Sequence, residues 1–177
     1  MTTLLEHEIQ QVMQNFIYLK KQTCEKNNGP ADLAPMYHLT LDNDDIMAAI
    51  APIDMHPTEA LMETLPLILL NQKPKFTMFM VEGYMQERDT MPTNHVRGEL
   101  EKDFKENAAT TIRESITVHG IDKEGTQFMG VVSYKYDDFG MPVFDEPKFA
   151  EIAGEMMEAN VPMIFALSYQ YVKSMLN

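Results

Sequence analysis

The stretch Thr110–Tyr136 constrains this chain most, because two segments of alternating side chains meet there at Asp122-Lys123-Glu124-Gly125. Alternation with a period of two belongs to a strand that lays one face on a core. The four residues between the segments suit a type I turn closed by a glycine in the left-handed region. Together they predict a β-hairpin over Thr110–Ile121 and Thr126–Tyr136. The turn fixes the register, with Asp122 opposite Thr126 and therefore Glu114 opposite Tyr134. Ile112, Glu114, Ile116, Val118 and Gly120 then share the expected core face with Tyr136, Tyr134, Val132, Gly130 and Phe128. Arg113, Ser115, Thr117 and His119 share the other face with Lys135, Ser133, Val131 and Met129.

A lone hairpin is not stable in water, so further elements must cover it. Thr3 to Cys24 reads as a helix: Leu5, Ile9, Val12, Met13 and Phe16 make one apolar face, and Thr3 with Glu6 forms a capping box. Asn27-Asn28-Gly29-Pro30 ends it. Pro35–Leu41 reads as a strand, followed by turn residues Asp42-Asn43-Asp44-Asp45. Ile46–Ala51 fits the return strand, with a short helix as its rival because Met and Ala favour helix. His56-Pro57 opens a helix to Asn71 with Pro66 inside it as a source of a kink. Lys75–Met85 is apolar on both faces around Phe76–Val81, the pattern of a central strand.

Arg88–Ala109 reads as a charged loop with a short helix near Gly98–Asn107. Beyond the hairpin, Asp138-Phe139-Gly140 turns the chain toward Met141–Phe144. Asp145-Glu146-Pro147 is expected to start a helix whose face carries Phe149, Ile152, Ala153 and Met156. Asn160-Val161-Pro162 opens a last helix to Leu176 that is apolar almost all round, as expected of a helix buried in the fold or in a partner.

The expected order is thus α, β, β, α, β, β, β, α, α. It implies one α+β domain over residues 1–177, with a single antiparallel sheet of about five strands (hairpin, helix, three-strand meander) and helices packed on one face. The element order resembles that of profilin, longin or PAS folds. The resemblance is one of order alone, without a sequence motif of those families, so it implies a fold and no function.

Acidic residues number 27 and basic residues 14, for a formal charge of −13. That field repels phosphate backbones and anionic lipid, so neither nucleic acid nor a membrane is expected as a partner. It fits a basic partner, a metal cation or plain solubility. No apolar stretch reaches the length of a membrane span. The single cysteine, Cys24, allows no intrachain disulfide, and the first residues lack a basic start followed by an apolar run. The expectation is a cytoplasmic protein.

Signatures for phosphate cradles, zincin chemistry, α/β-hydrolase chemistry and EF-hand loops are missing from the sequence. No catalytic residue, metal site or cofactor is assigned. Two carboxylates stand out. Glu82 shares strand parity with Phe76, Met78 and Met80, and Glu114 lies among Ile112, Ile116 and Tyr134. A buried carboxylate must be paired or it becomes neutral. Glu82, Tyr84, Glu114 and Tyr134 are therefore the candidate ligand-binding residues. The competing expectation is that each acid simply bonds a Tyr hydroxyl or an arginine such as Arg113.

Asp54 and His56, with Glu59, have ligand-like spacing but are also ordinary capping material. Asp137, Asp138, Asp145 and Glu146 bracket a turn, which explains them without a cation. Cys24 has no base beside it in sequence. These features together favour a non-enzymatic binding or assembly module, with self-association or a protein partner. Its form is a homodimer through the apolar last helix, supported by sixteen Met residues that suit adaptable surfaces. The alternative is a small enzyme or ligand sensor whose pocket is lined by Glu82, Glu114, Tyr84 and Tyr134.

Overall fold

The computed structural model describes residues 3–86, 112–154 and 160–176. Its elements are α1 (Leu4–Asn27), β1 (Met36–Thr40), β2 (Ile46–Ile50), α2 (Pro57–Gln72), β3 (Phe76–Gln86), β4 (Ile112–Asp122), β5 (Gln127–Tyr136), β6 (Pro142–Phe144), β7 (Lys148–Glu151) and α3 (Asn160–Leu176). The strands form one antiparallel sheet in the order β2-β1-β3-β4-β5-β6, with β7 pairing β5 as well. The α+β class and the single antiparallel sheet are as the sequence implies.

The hairpin takes the expected register, with Glu114 opposite Tyr134 and Ile121 opposite Gln127. Gly125 lies at φ +87°, and its N–H donates to the Asp122 carbonyl at 3.2 Å. The Asp122 carboxylate accepts from the Thr126 N–H at 2.8 Å, which closes the turn from the other side. In α1 the Thr3 hydroxyl accepts from the Glu6 N–H at 3.1 Å, as the capping box requires. The helix ends at Asn28 in the left-handed region. In α2 the cap is His56, whose Nδ1 accepts from the Thr58 N–H at 3.2 Å.

Every pairing from β1 through β6 joins residues of like parity, for example Met36 with Met80, Met80 with Val118 and Val118 with Gly130. Parity is therefore continuous across the sheet. Even-numbered residues (Phe76, Met78, Met80, Ile116, Val118, Phe128, Val132) form a core with Leu5, Ile9, Val12, Met13 and Phe16 of α1. Odd-numbered Tyr37, Leu39, Phe79 and Ile121 form a second core with α2 and α3 through Ala60, Leu61, Leu65, Leu69, Phe165 and Val172. The helical cover is thus shared out, α1 over the even face and α2 with α3 over the odd face. Both faces of β3 are buried, as its sequence predicts.

Two expectations change. Among the described residues the sheet has seven strands instead of about five. The helix expected from Asp145 gives way to β7, because the N-terminal half of β5 has ladder groups that β6 does not reach. Lys148–Glu151 takes them up, Gly130 opposite Phe149, and the Ile152 N–H donates to the Gln127 carbonyl at 2.9 Å. Pairing with a waiting edge outweighs the helical spacing of Phe149, Ile152 and Ala153. Within the single chain the last helix is buried along one side. Phe165, Ser168 and Val172 face inward, while Met163, Leu167 and Tyr171 stand out in solvent. The expected short helix at Gly98–Asn107 and the loop around it lie outside the described residues, as does Met156.

Candidate functional site

The candidate site is built at the end of the even face where α1, the α1–β1 connection, β3, β4 and β5 come together. Lys20 is its centre. The side chain leaves α1 one turn beyond Phe16 and one turn before Cys24, so helical geometry aims it into the core with them. It is fully buried. Its ammonium pairs with the Glu82 carboxylate of β3 and donates to the Ala31 carbonyl at 2.5 Å. It also stands 5.0 Å from the Tyr134 ring centre and 5.5 Å from that of Tyr136, so two aromatic faces complete its shell. Asp32, on the surface, is 3.9 Å away.

Glu82 is fully engaged. One oxygen takes Lys20 and accepts from the Tyr134 hydroxyl, and the other accepts from the Leu33 N–H at 2.6 Å. Four segments of chain therefore meet on one carboxylate. Burial first, then Glu82, raises the Tyr134 hydroxyl well above the usual tyrosine range, so it acts as a fixed donor. Burial pulls the Lys20 ammonium down, but the hydrogen bond and charge of Glu82, with Tyr136, more than offset this and leave it raised and charged. A charged, fully bonded lysine is a poor nucleophile, and the Glu82 carboxylate already holds three donors.

Glu114 behaves differently. It is half-buried, faces the same side as Glu82, and makes no hydrogen bond to another described residue. Burial pushes its carboxyl up; Lys20 lowers it, and the charges of Glu82 and Asp32 push it up further. With Tyr134, Tyr136, Arg113, Lys135 and Asp145 it lines an open cleft of about 320 Å³. Arg113 is bound to Asp145 at 2.9 Å and not to either candidate acid.

Of the four residues singled out from sequence, Glu82, Glu114 and Tyr134 do converge. Of these three, Glu114 and Tyr134 reach the cleft, while Glu82 is engaged with Lys20, Tyr134 and Leu33. The Tyr84 side chain lies outside the described residues. Lys20 is missing from the sequence-based candidates. Its signal is present in the chain, since it falls on the apolar stripe of α1 at four-residue spacing from Phe16 and Cys24.

His56, Asp137 and Cys24 find structural roles. His56 caps α2. Asp137 accepts from the N–H groups of Phe139 and Met141, both at 2.9 Å, and makes the turn. Cys24 is buried with its thiol toward the Ala31 carbonyl at 3.7 Å. Among the described residues no group of three His, Cys, Asp or Glu is placed to hold a metal ion. No helix among them is long and apolar enough to cross a membrane.

A second concavity lies on the opposite face, between the ends of α2 and α3 and the β4–β5 turn. It has a volume of about 330 Å³, with Leu69, Thr77, Ile121 and Val172 in its walls and Lys73, Lys123 and Lys173 among its lining residues. No family model, no curated protein and no solved structure matches this chain.

Proposed function

We propose that this protein is a non-enzymatic assembly module that pairs with a second copy of itself through α3. The observation that carries the reading is the outward face of that helix. Met163, Leu167 and Tyr171 recur every fourth residue opposite the buried Phe165, Ser168 and Val172, and each is between 43 and 58 % exposed. Solvated helix faces are normally polar, and an apolar stripe of this kind marks a contact surface.

Charge argues for a second copy as the occupant. Two chains of charge −13 repel each other over most of their surfaces. Residues Asn160–Leu176 contain no acidic residue and one cation, Lys173, so this is a face on which two copies can approach without stacking carboxylates. A basic partner would find no acids there to pair with. A two-fold contact between identical helices is self-complementary, the commonest arrangement of homo-oligomers.

Sedimentation velocity from one to one hundred micromolar tests the proposal. A dimer is expected, with Leu167→Glu shifting it to monomer. Edge strand β2 is the internal control, because Ile46, Met47 and Ile50 are exposed there as well. Monomer throughout, or a dimer lost with Met47→Lys and kept with Leu167→Glu, overturns the assignment to α3.

A second reading, a ligand sensor at the acid and tyrosine cluster, rests on Glu114. Its carboxylate stands at the mouth of a cleft without a hydrogen-bond partner among the described residues. The test is whether Glu114→Gln abolishes binding of a small cationic ligand detected by calorimetry.

A further inference from the structure

The concavity on the odd face combines apolar walls with basic lining residues. Its walls are apolar: Leu69 from α2, Ile121 from β4 and Val172 from α3 are buried core residues that also line it. Its lining also carries three lysines from three different elements. Lys73 follows the last turn of α2, Lys123 sits in the β4–β5 turn, and Lys173 lies in the last turn of α3. In a chain with nearly two acids for every base, three cations from three elements converge on one apolar cleft, with Asp122 also in its lining and the charges of Glu124 and Asp122 acting on Tyr169. Lys123 is partly neutralised by its pair with Asp42, and the Asp122 carboxylate at the same rim is turned to the Thr126 N–H. Lys73 and Lys173 have no ion-pair partner among the described residues.

We infer that this cleft binds an amphipathic monoanion, an apolar body with a single anionic head. The body enters between Leu69, Ile121 and Val172, and the head stays at the rim beside Lys73 and Lys173. Apolar walls with a few placed charges are the general design of small-molecule sites, and about 330 Å³ lies at the small end of their range. At roughly 30 Å³ for each water-sized group, the volume holds about ten non-hydrogen atoms. The dielectric at the rim is that of a half-open cleft, so the cations select for charge while the walls supply most of the affinity. Binding here is independent of pairing through α3, whose outward stripe is on the other side of that helix from Val172.

Sodium octanoate, a single-headed anion of that size, is the probe. It is titrated into the full chain while the methyl signals of Leu69, Ile121 and Val172 are followed by NMR, with Val118 and Val132 of the opposite face as controls. Saturable shifts confined to the first set are expected, with a dissociation constant on the order of 0.1 mM for a ligand of this size. Octan-1-ol, with the same body and no charge, is expected to bind at least tenfold more weakly. The double variant Lys73→Asn/Lys173→Gln is expected to lose about tenfold for octanoate and nothing for the alcohol. Asn is used because Lys73 has φ +46°, which Asn tolerates. The proposal is overturned if no saturation appears by 5 mM octanoate, if Val118 and Val132 shift equally, if the alcohol binds as well as the acid, or if the variant binds octanoate unchanged.

Discussion

Lys20 of α1 and Glu82 of β3 form an ion pair from which water is excluded on the lysine side altogether. Such a pair gives little net stability against an apolar replacement of both partners, because two charges were desolvated to make it. Breaking it is another matter. The Tyr134 hydroxyl and the Leu33 N–H also converge on Glu82, so the carboxylate ties the α1–β1 connection to the middle of the sheet.

Lys20→Met is expected to cost about 3–5 kcal/mol, because it leaves a buried charge uncompensated. The double variant Lys20→Met/Glu82→Gln should recover more than half of that, since Gln still offers Tyr134 an acceptor. Urea unfolding of the three proteins measures this. A single-variant loss below about 0.5 kcal/mol, typical of a surface site, contradicts the pair's burial. Because the Lys20 pKa is raised above 10.5, its contribution is complete below that pH and fades as pH rises through the folded value.

His119 supplies an acid-side prediction. The Gln127 amide nitrogen donates to the Pro162 carbonyl at 3.0 Å, so its oxygen is left to accept from His119 Nε2 at 3.0 Å. Burial lowers the His119 pKa to about 4, against the small upward pull of Gln127. Between pH 6.5 and 4 the unfolded chain takes a proton that the folded chain refuses. Stability attributable to His119 is therefore full above pH 6.5 and falls as pH drops toward 4, by about 3 kcal/mol in all. His119→Gln should remove that slope from the difference between the two proteins' pH–stability curves.

Glu114 has the opposite sign. Its carboxyl is raised by burial, so the folded state holds the proton more tightly than the unfolded state does. Stability from this group is present at low pH and is lost as pH rises through the folded value. Glu114→Gln is expected to stabilise the protein at pH 7 and to do so less at pH 4, as read from melting temperature at the two pH values.

Gly130→Ala tests the packing of β7. A Cβ at Gly130 would lie 2.8 Å from the Phe149 ring and 3.1 Å from Ile9 Cγ2, too close on both sides of the same face. Overpacking of this kind costs about 1–3 kcal/mol. Gly130→Ala/Phe149→Leu should regain part of the loss in urea unfolding. An unchanged midpoint for Gly130→Ala contradicts the seating of Phe149 over β5.

The proposed pairing through α3 predicts a salt signature. With −13 on each chain and no acid in the helix itself, added salt screens repulsion between the remaining surfaces and leaves the apolar contact intact. The dimer dissociation constant should fall several-fold between 20 and 300 mM NaCl in sedimentation equilibrium. A constant that rises with salt would identify an ion-paired interface instead.

Much of this fold is legible in local chemistry. The Asp122–Gly125 turn and the alternation around it set the β4–β5 register. The Thr3 and His56 starts place α1 and α2 where short-range hydrogen bonds and periodicity say they belong. Glu82, Glu114 and Tyr134 are legible as neighbours for a related reason, since strand parity carries across a sheet once one register is known. Local chemistry misleads at Asp145–Glu151. There a capping pattern and helical spacing favour one state, and an unfilled edge of β5 imposes another.

Alternation, caps and turns could be read from the chain alone, because each depends on neighbours a few positions away. Three outcomes needed the folded molecule: Glu82 is taken by Lys20 while Glu114 is left at the cleft, α3 keeps Met163, Leu167 and Tyr171 in water, and three lysines ring an apolar hollow. Each depends on groups far apart in the chain competing for one partner or one face, and a local pattern holds no record of who wins.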